Sequence, residues 1–189
     1  MLMKSTFSKI ALGLGILAAG FQFQSCNKIA SAIPPVTFTG ASTDVVIPVS
    51  PAGAAAQIAT QSFSYNIDSM IKAETGGVAS YSTIKSVKIS QITLTLSDAD
   101  SANNFANFQS AAASFYTNAN STTYTLASIT NNPDAFASTL TLPIVDQTVD
   151  LKQYFNSNTT ITYNVSGQLR RATNKMLHCH VAATYSITF

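Results

Sequence analysis

Apolar and polar residues alternate with period two over most of the chain beyond residue 60. Phe63, Tyr65 and Ile67 alternate with Ser62, Ser64 and Asn66, and Leu140, Leu142 and Ile144 alternate with Thr139 and Thr141. Ile161, Tyr163, Val165 and Leu169 interleave with Thr162, Asn164, Ser166 and Gln168. Leu177, Cys179, Val181, Ala183, Tyr185, Ile187 and Phe189 form one unbroken series. Successive side chains of a strand point to opposite faces, so each run predicts a strand with one buried and one wet face. Clusters of Gly, Pro, Asn and Asp separate the runs.

One run changes phase. Val87 and Ile89 share one parity, whereas Ile92, Leu94 and Leu96 have the other. A regular strand cannot bury both sets on one side, so a β-bulge is predicted near Ser90-Gln91. Pro48 and Pro143 fall in strand-like runs, which marks those runs as edges or bulges. Short helical turns are predicted at Asp68–Thr75, stopped by Gly76-Gly77, and at Leu151–Phe155. Arg170–Lys175 is expected to turn the last hairpin. Eight or nine short strands in one domain predict an all-β fold. The expected form is a single antiparallel β-sandwich over 36–189, Greek-key and immunoglobulin-like, with one or two helical turns.

The first thirty residues have a different grammar. Lys4 and Lys9 precede the apolar run Ile10–Ala19. A basic start followed by a short apolar stretch has the form of an export signal. The stretch is too short to span a bilayer, which takes about 20 apolar residues. Two processing sites are open. Ala30-Ser31-Ala32 fits cleavage between small residues. Phe23-Gln24-Ser25-Cys26 resembles a bacterial lipoprotein signal, which implies that residues 1–25 are removed and Cys26 is lipidated. Residues 26–35, with Pro34-Pro35, then form a tether, and by the same resemblance the non-acidic Asn27-Lys28 after the Cys argues against inner-membrane retention and leaves the outer membrane as the expected place. On these features the chain resembles the small single-domain lipoproteins of Gram-negative envelopes. That resemblance implies a membrane partner through the lipid anchor and a periplasmic or surface-facing position.

Composition agrees with export. Charged residues are only 10% of the 189, and polarity is carried by 23 Ser and 23 Thr. The net charge is +2, with no basic stripe, which argues against nucleic acid. No phosphate-cradling, dinucleotide-binding or hydrolase-elbow motif occurs. Only two Cys are present, so with Cys26 lipidated or removed Cys179 has no partner and is expected to be a buried thiol.

Four groups of residues carry candidate chemistry. His178-Cys179-His180 resembles a fragment of multicopper oxidases, but the chain has only two His. On a strand His178 and His180 share a face opposite Cys179, leaving an incomplete two-His metal site beside Met176. Asp98, Asp100, Asn103 and Asn104 make an oxygen-rich loop of the kind Ca²⁺ favours, without the spacing of an EF-hand. Arg170, Arg171 and Lys175 are candidate ligands for an anionic glycan or headgroup. Asp146 and Asp150 bracket a turn, and several Tyr offer sugar-stacking rings. No catalytic pair, metal or cofactor is assigned.

The sequence therefore favours a non-catalytic envelope lipoprotein that binds or builds, with an envelope protein or a glycan as partner. Two alternatives stand beside it. One is a small outer-membrane β-barrel, whose last strand would resemble the run ending at Phe189. The other is a secreted enzyme acting on envelope or dietary glycan.

Overall fold

The computed structural model describes residues 33–189. The export signal, Cys26 and the alternative cleavage after Ala32 lie outside the described residues. Eight strands and one α-helix follow in order. They are β1 (Val36–Ile47), β2 (Ala55–Asn66), α1 (Ile67–Glu74), β3 (Ser86–Leu96) and β4 (Phe108–Thr117). β5 (Tyr124–Ile129), β6 (Thr139–Leu142), β7 (Asn158–Leu169) and β8 (Leu177–Thr188) complete the chain.

Every strand pairing is antiparallel. One sheet, here sheet A, has the order β1-β8-β3-β6, and the other, sheet B, has β2-β7-β4-β5. The first strand thus pairs with the last and the second with the seventh. An immunoglobulin sandwich of seven strands would place its first two strands side by side. The Greek-key sandwich here takes the eight-stranded jelly-roll form. The sheets face one another across an apolar core and do not close into a barrel, so the outer-membrane barrel is set aside. No helix among the described residues is long and apolar enough to cross a membrane.

The alternation read from the sequence is what fills this core. On β8, Leu177, Cys179, Val181, Ala183, Tyr185 and Ile187 are all buried. On β3 the bulge lies where the parity changes, with the register to β8 slipping between Ile89 and Gln91. The extra residue turns Val87 and Ile89 inward together with Ile92, Leu94 and Leu96. Pro48 and Pro143 each follow an edge strand of sheet A, β1 and β6, where a missing N–H disturbs no central ladder. α1 begins at Asn66, whose side chain accepts from the Ser69 N–H at 2.8 Å. It ends before Gly76 and Gly77, at φ of 61° and 82°, a conformation costly for other residues. The turn expected at Leu151–Phe155 is a short 3-10 segment, Leu151–Tyr154.

β1 is a twelve-residue strand that continues past a register slip between Thr39 and Ser42. One expectation needs correction. Arg170–Lys175 does not turn a hairpin. β7 and β8 lie in different sheets, so this loop carries the chain across the end of the sandwich.

The central strands of the two sheets meet in the core. Tyr163 of β7 and Tyr185 of β8 bring their hydroxyls to 2.6 Å of one another, both buried. Phe115 packs on Tyr163, Tyr154 and Phe155 around them. Burial pushes the pKa of both phenols above the ordinary range, so the pair stays neutral and hydrogen-bonded. Tyr185→Phe leaves a buried hydroxyl on Tyr163 without this bond and should cost about 1–3 kcal/mol. Adding Tyr163→Phe should recover part of that loss, because both polar groups are then gone. Urea unfolding of the two single variants and the double variant checks this. A double variant as unstable as the summed singles would contradict the pairing.

Candidate functional site

The outer face of sheet A carries the histidines. β8 lies between β1 and β3, and His178 and His180 point outward from it while Cys179 is buried. His178 Nδ1 lies 3.0 Å from Asp98 Oδ2, just past the end of β3. His180 Nδ1 lies 2.8 Å from Asp44 Oδ1, on β1. The two imidazoles are therefore held toward opposite neighbouring strands, each by its own carboxylate. Among the described residues no three His, Cys, Asp or Glu side chains gather into a group able to hold a metal ion. Met176 is exposed just before the strand.

The oxygen-rich loop has its oxygens engaged. Asp98 Oδ1 accepts the His178 backbone N–H at 3.0 Å. Desolvation pushes the Asp98 carboxyl up, but the His178 ring and backbone donors outweigh it and hold the group low. Asp100 Oδ1 accepts from the Ala102 and Asn103 N–H groups at 2.9 and 2.8 Å. Its other oxygen meets Lys175 Nζ at 2.8 Å. The Lys175 ammonium and these amide donors hold the Asp100 carboxyl well below the usual carboxylate range. The geometry is that of a turn closed by side chains, with the loop's charge balanced from β8's approach.

The basic residues are engaged too. Arg170 donates to the Asn132 carbonyl at 2.7 Å and the Ala106 carbonyl at 3.3 Å. Arg171 pairs with Asp134 and donates to the Ala106 carbonyl. Lys175 also donates to the Asp98 carbonyl at 2.6 Å. All three guanidinium and ammonium groups thus staple loops at one end of the sandwich. They are helped by buried Asn107, which donates to the Ala102 and Ala172 carbonyls, and buried Asn132, which donates to those of Phe105 and Phe108. Asp146 and Asp150 do not meet as a catalytic pair. Asp146 accepts from Thr148, and Asp150 accepts from the Val87 and Lys152 N–H groups.

Sheet B offers a different surface, which the sequence reading missed. None of its four strands contains a charged residue. Its outer face is a lattice of hydroxyls and amides. Ser62 bonds Thr162 at 2.8 Å, Ser64 bonds Thr160 at 2.9 Å, and Thr60 donates to Asn164 at 2.9 Å, all across the β2–β7 pair. The lattice continues onto β4 and β5 through Tyr116 beside Thr162, Ser114 beside Asn164, and Thr125 beside Ser114. A shallow, mostly apolar depression of about 250 Å³ opens in this face, lined by Ala55, Ala111, Ala112, Ile129, Ser128 and Ser166. Gly167 borders it, and a Cβ there would point toward the core, 2.8 Å from the Ser110 carbonyl oxygen and 3.1 Å from Phe108 Cδ1. A second cavity, of about 320 Å³ and mostly apolar, lies between the start of β1 and α1, lined by Val36, Ile67, Met70, Ile71 and Ile187.

No protein-family model and no curated protein matches the chain. Among solved structures it is similar to two of infectious bursal disease virus. The Gt strain structure is 10% identical with a TM-score of 0.39, and the Gx strain structure is 8% identical with a TM-score of 0.40. Each alignment covers 82% of this chain, which spans about a third of the length of those chains (33%). A structure of Desmodium yellow mottle tymovirus is 10% identical over 98% of this chain and 95% of that one, with a TM-score of 0.25.

Two outcomes follow from the charge and thiol environments. Asp100 is held low in the folded chain, so its contribution to stability is present above the ordinary carboxylate pKa of about 4 and is lost as pH falls through the folded value. Asp100→Asn should lower the melting temperature at pH 7 and flatten its fall on acidification, as followed by thermal melts between neutral and acid pH. Burial pushes the Cys179 thiol up to about 12, so it stays protonated and enclosed. Alkylation of the native protein should be slow and should become rapid on unfolding. Rapid labelling of folded protein would contradict the strand's parity.

Proposed function

We propose that the chain is a non-catalytic cell-envelope lipoprotein whose jelly-roll domain binds a partner or builds envelope structure. Residues 1–25 act as the export signal, lipid on Cys26 holds the protein at the outer membrane, and residues 26–35 tether the domain, which faces the periplasm or the cell exterior. The observation that carries the binding role is the uncharged, internally hydrogen-bonded outer face of sheet B. A rigid surface whose side chains are already fixed loses little conformational entropy when it meets a partner. The titratable groups on the other side favour a non-catalytic reading. His178, His180, Asp98, Asp100 and Asp150 are each committed to local hydrogen bonds that hold strands and loops. The anchoring role rests on the resemblance of Phe23-Gln24-Ser25-Cys26 to a lipoprotein signal, and stable attachment there calls for more than one acyl chain.

Metabolic labelling with a radioactive fatty acid tests the anchor. Wild-type protein should incorporate label and sediment with outer membranes, and Cys26→Ser should do neither. An unlabelled wild-type protein beginning after Ala32 would overturn the lipoprotein reading and leave ordinary secretion.

A further inference from the structure

We propose that the outer face of β8 holds a copper ion, bound by Nε2 of His178 and Nε2 of His180 with the Met176 sulfur as third protein ligand. The site lies on sheet A and depends neither on the lipid anchor nor on a partner of sheet B.

Each imidazole is oriented by a carboxylate. His180 stands directly opposite Asp44 in the β1–β8 ladder, and its Nδ1 lies 2.8 Å from Asp44 Oδ1. His178 turns the other way, with its Nδ1 3.0 Å from Asp98 Oδ2 past the end of β3. The two nitrogens of an imidazole point in nearly opposite directions. With both Nδ1 atoms turned out to the flanking strands, both Nε2 atoms are turned back over β8, between those strands. A carboxylate that accepts from Nδ1–H leaves the ring's lone pair on Nε2 and fixes the ring's direction, which is the support a metal-binding histidine uses. Neither Nε2 has a hydrogen-bond partner among the described residues. The His178 and His180 side chains are 63% and 47% exposed, so those lone pairs are open to solvent.

Strand geometry supplies the spacing. Residues two apart on a strand share a face and stand about 7 Å apart. Rings leaning toward one another from such positions can share one metal at nitrogen–metal distances of about 2 Å. Met176 has the same parity, two residues before His178, and is 60% exposed. Its unbranched, flexible side chain can lean along the strand to the same point. Two imidazoles and a thioether form a borderline-to-soft donor set. Nitrogen sites hold Cu²⁺ more tightly than the other divalent first-row metals, and a thioether favours Cu⁺, so the set selects copper in either oxidation state. The carboxylates of Asp44 and Asp98 flank the site and favour a cation there. Lys175, next to Met176 in the chain, is taken up by Asp100 and by the Asp98 carbonyl. The carboxylates stay on the Nδ1 atoms, so water completes the coordination.

The test uses the mature protein in mild detergent, without a histidine tag and stripped of metal by a chelator. Calorimetric titration follows Cu²⁺ and Zn²⁺, and competition with a chromophoric chelator under reducing conditions follows Cu⁺. Wild-type protein should bind a single copper per chain in either state and hold Zn²⁺ more weakly. Electron paramagnetic resonance of the Cu²⁺ form should show splitting from two nitrogens. His178→Gln and His180→Gln should each raise the Kd by about tenfold or more, a loss of at least about 1.4 kcal/mol in binding. Asp44→Ala, which leaves both imidazoles in place, should weaken binding by about tenfold through the lost ring support. Met176→Ala should weaken Cu⁺ more than Cu²⁺. Circular dichroism and the metal-free melting temperature keep loss of a ligand separate from loss of the fold. A folded wild-type protein that takes no copper, a Cu²⁺ spectrum with fewer than two nitrogens, or copper held unchanged by His178→Gln would overturn the proposal. So would Zn²⁺ bound as tightly as copper, or a ratio of one copper to two chains, which would give the metal to an interface between copies.

Discussion

The rest of the structure depends on the contact between β7 and β8. Each is an inner strand of its sheet, flanked by two partners, and each turns a nearly unbroken apolar face to the core. Tyr163 and Tyr185 meet there through their hydroxyls, and the rings of Phe115, Tyr154 and Phe155 close around them. Two phenols in an apolar core are tolerable because each satisfies the other. Since β8 also carries β1 and β3, and β7 carries β2 and β4, two strands from the last sixth of the chain pair with four that precede them. Contacts so distant in sequence make for slow assembly, as in other sandwiches of high contact order.

The two outer faces have diverged on this shared scaffold. Sheet A's face and its loops hold the charges, and these are spent on architecture. Asp44 reaches His180 across β1–β8, Asp98 reaches His178 past β3, and Arg170, Arg171 and Lys175 tie three loops at one end. Exposed ion pairs of this kind contribute little stability individually, and their effect here is to fix loop positions. Sheet B's face has kept hydroxyls and amides that bond laterally.

The sites proposed from sequence fared unevenly for a physical reason. His178-Cys179-His180 was read correctly as two outward rings and one buried thiol, because strand parity is local. What the rings do next was not legible. Their Nδ1 atoms are drawn to Asp44 and Asp98, one on each side of β8, and those partners lie 136 and 80 residues away. The basic loop had the look of a free anion site because its acidic partners, Asp134 and Asp100, sit in loops that only the fold brings near. The neutral face of sheet B was invisible because its members come from four separate segments, β2, β4, β5 and β7, that only the fold sets side by side.

By itself the sequence determined which residues face inward, where β3 must bulge, where α1 must stop, and that Cys179 is enclosed. Each of these follows from side-chain period or from the backbone freedom of Gly76 and Gly77, interactions that span a few residues. Tertiary structure alone decided that β1 pairs with β8 and β2 with β7, that residues 170–175 cross between sheets, and that uncharged strands lie side by side as β2-β7-β4-β5. Pairing order leaves no local trace, because every alternating strand offers the same ladder of N–H and C=O groups. The choice of neighbour is made only when distant apolar faces are buried together.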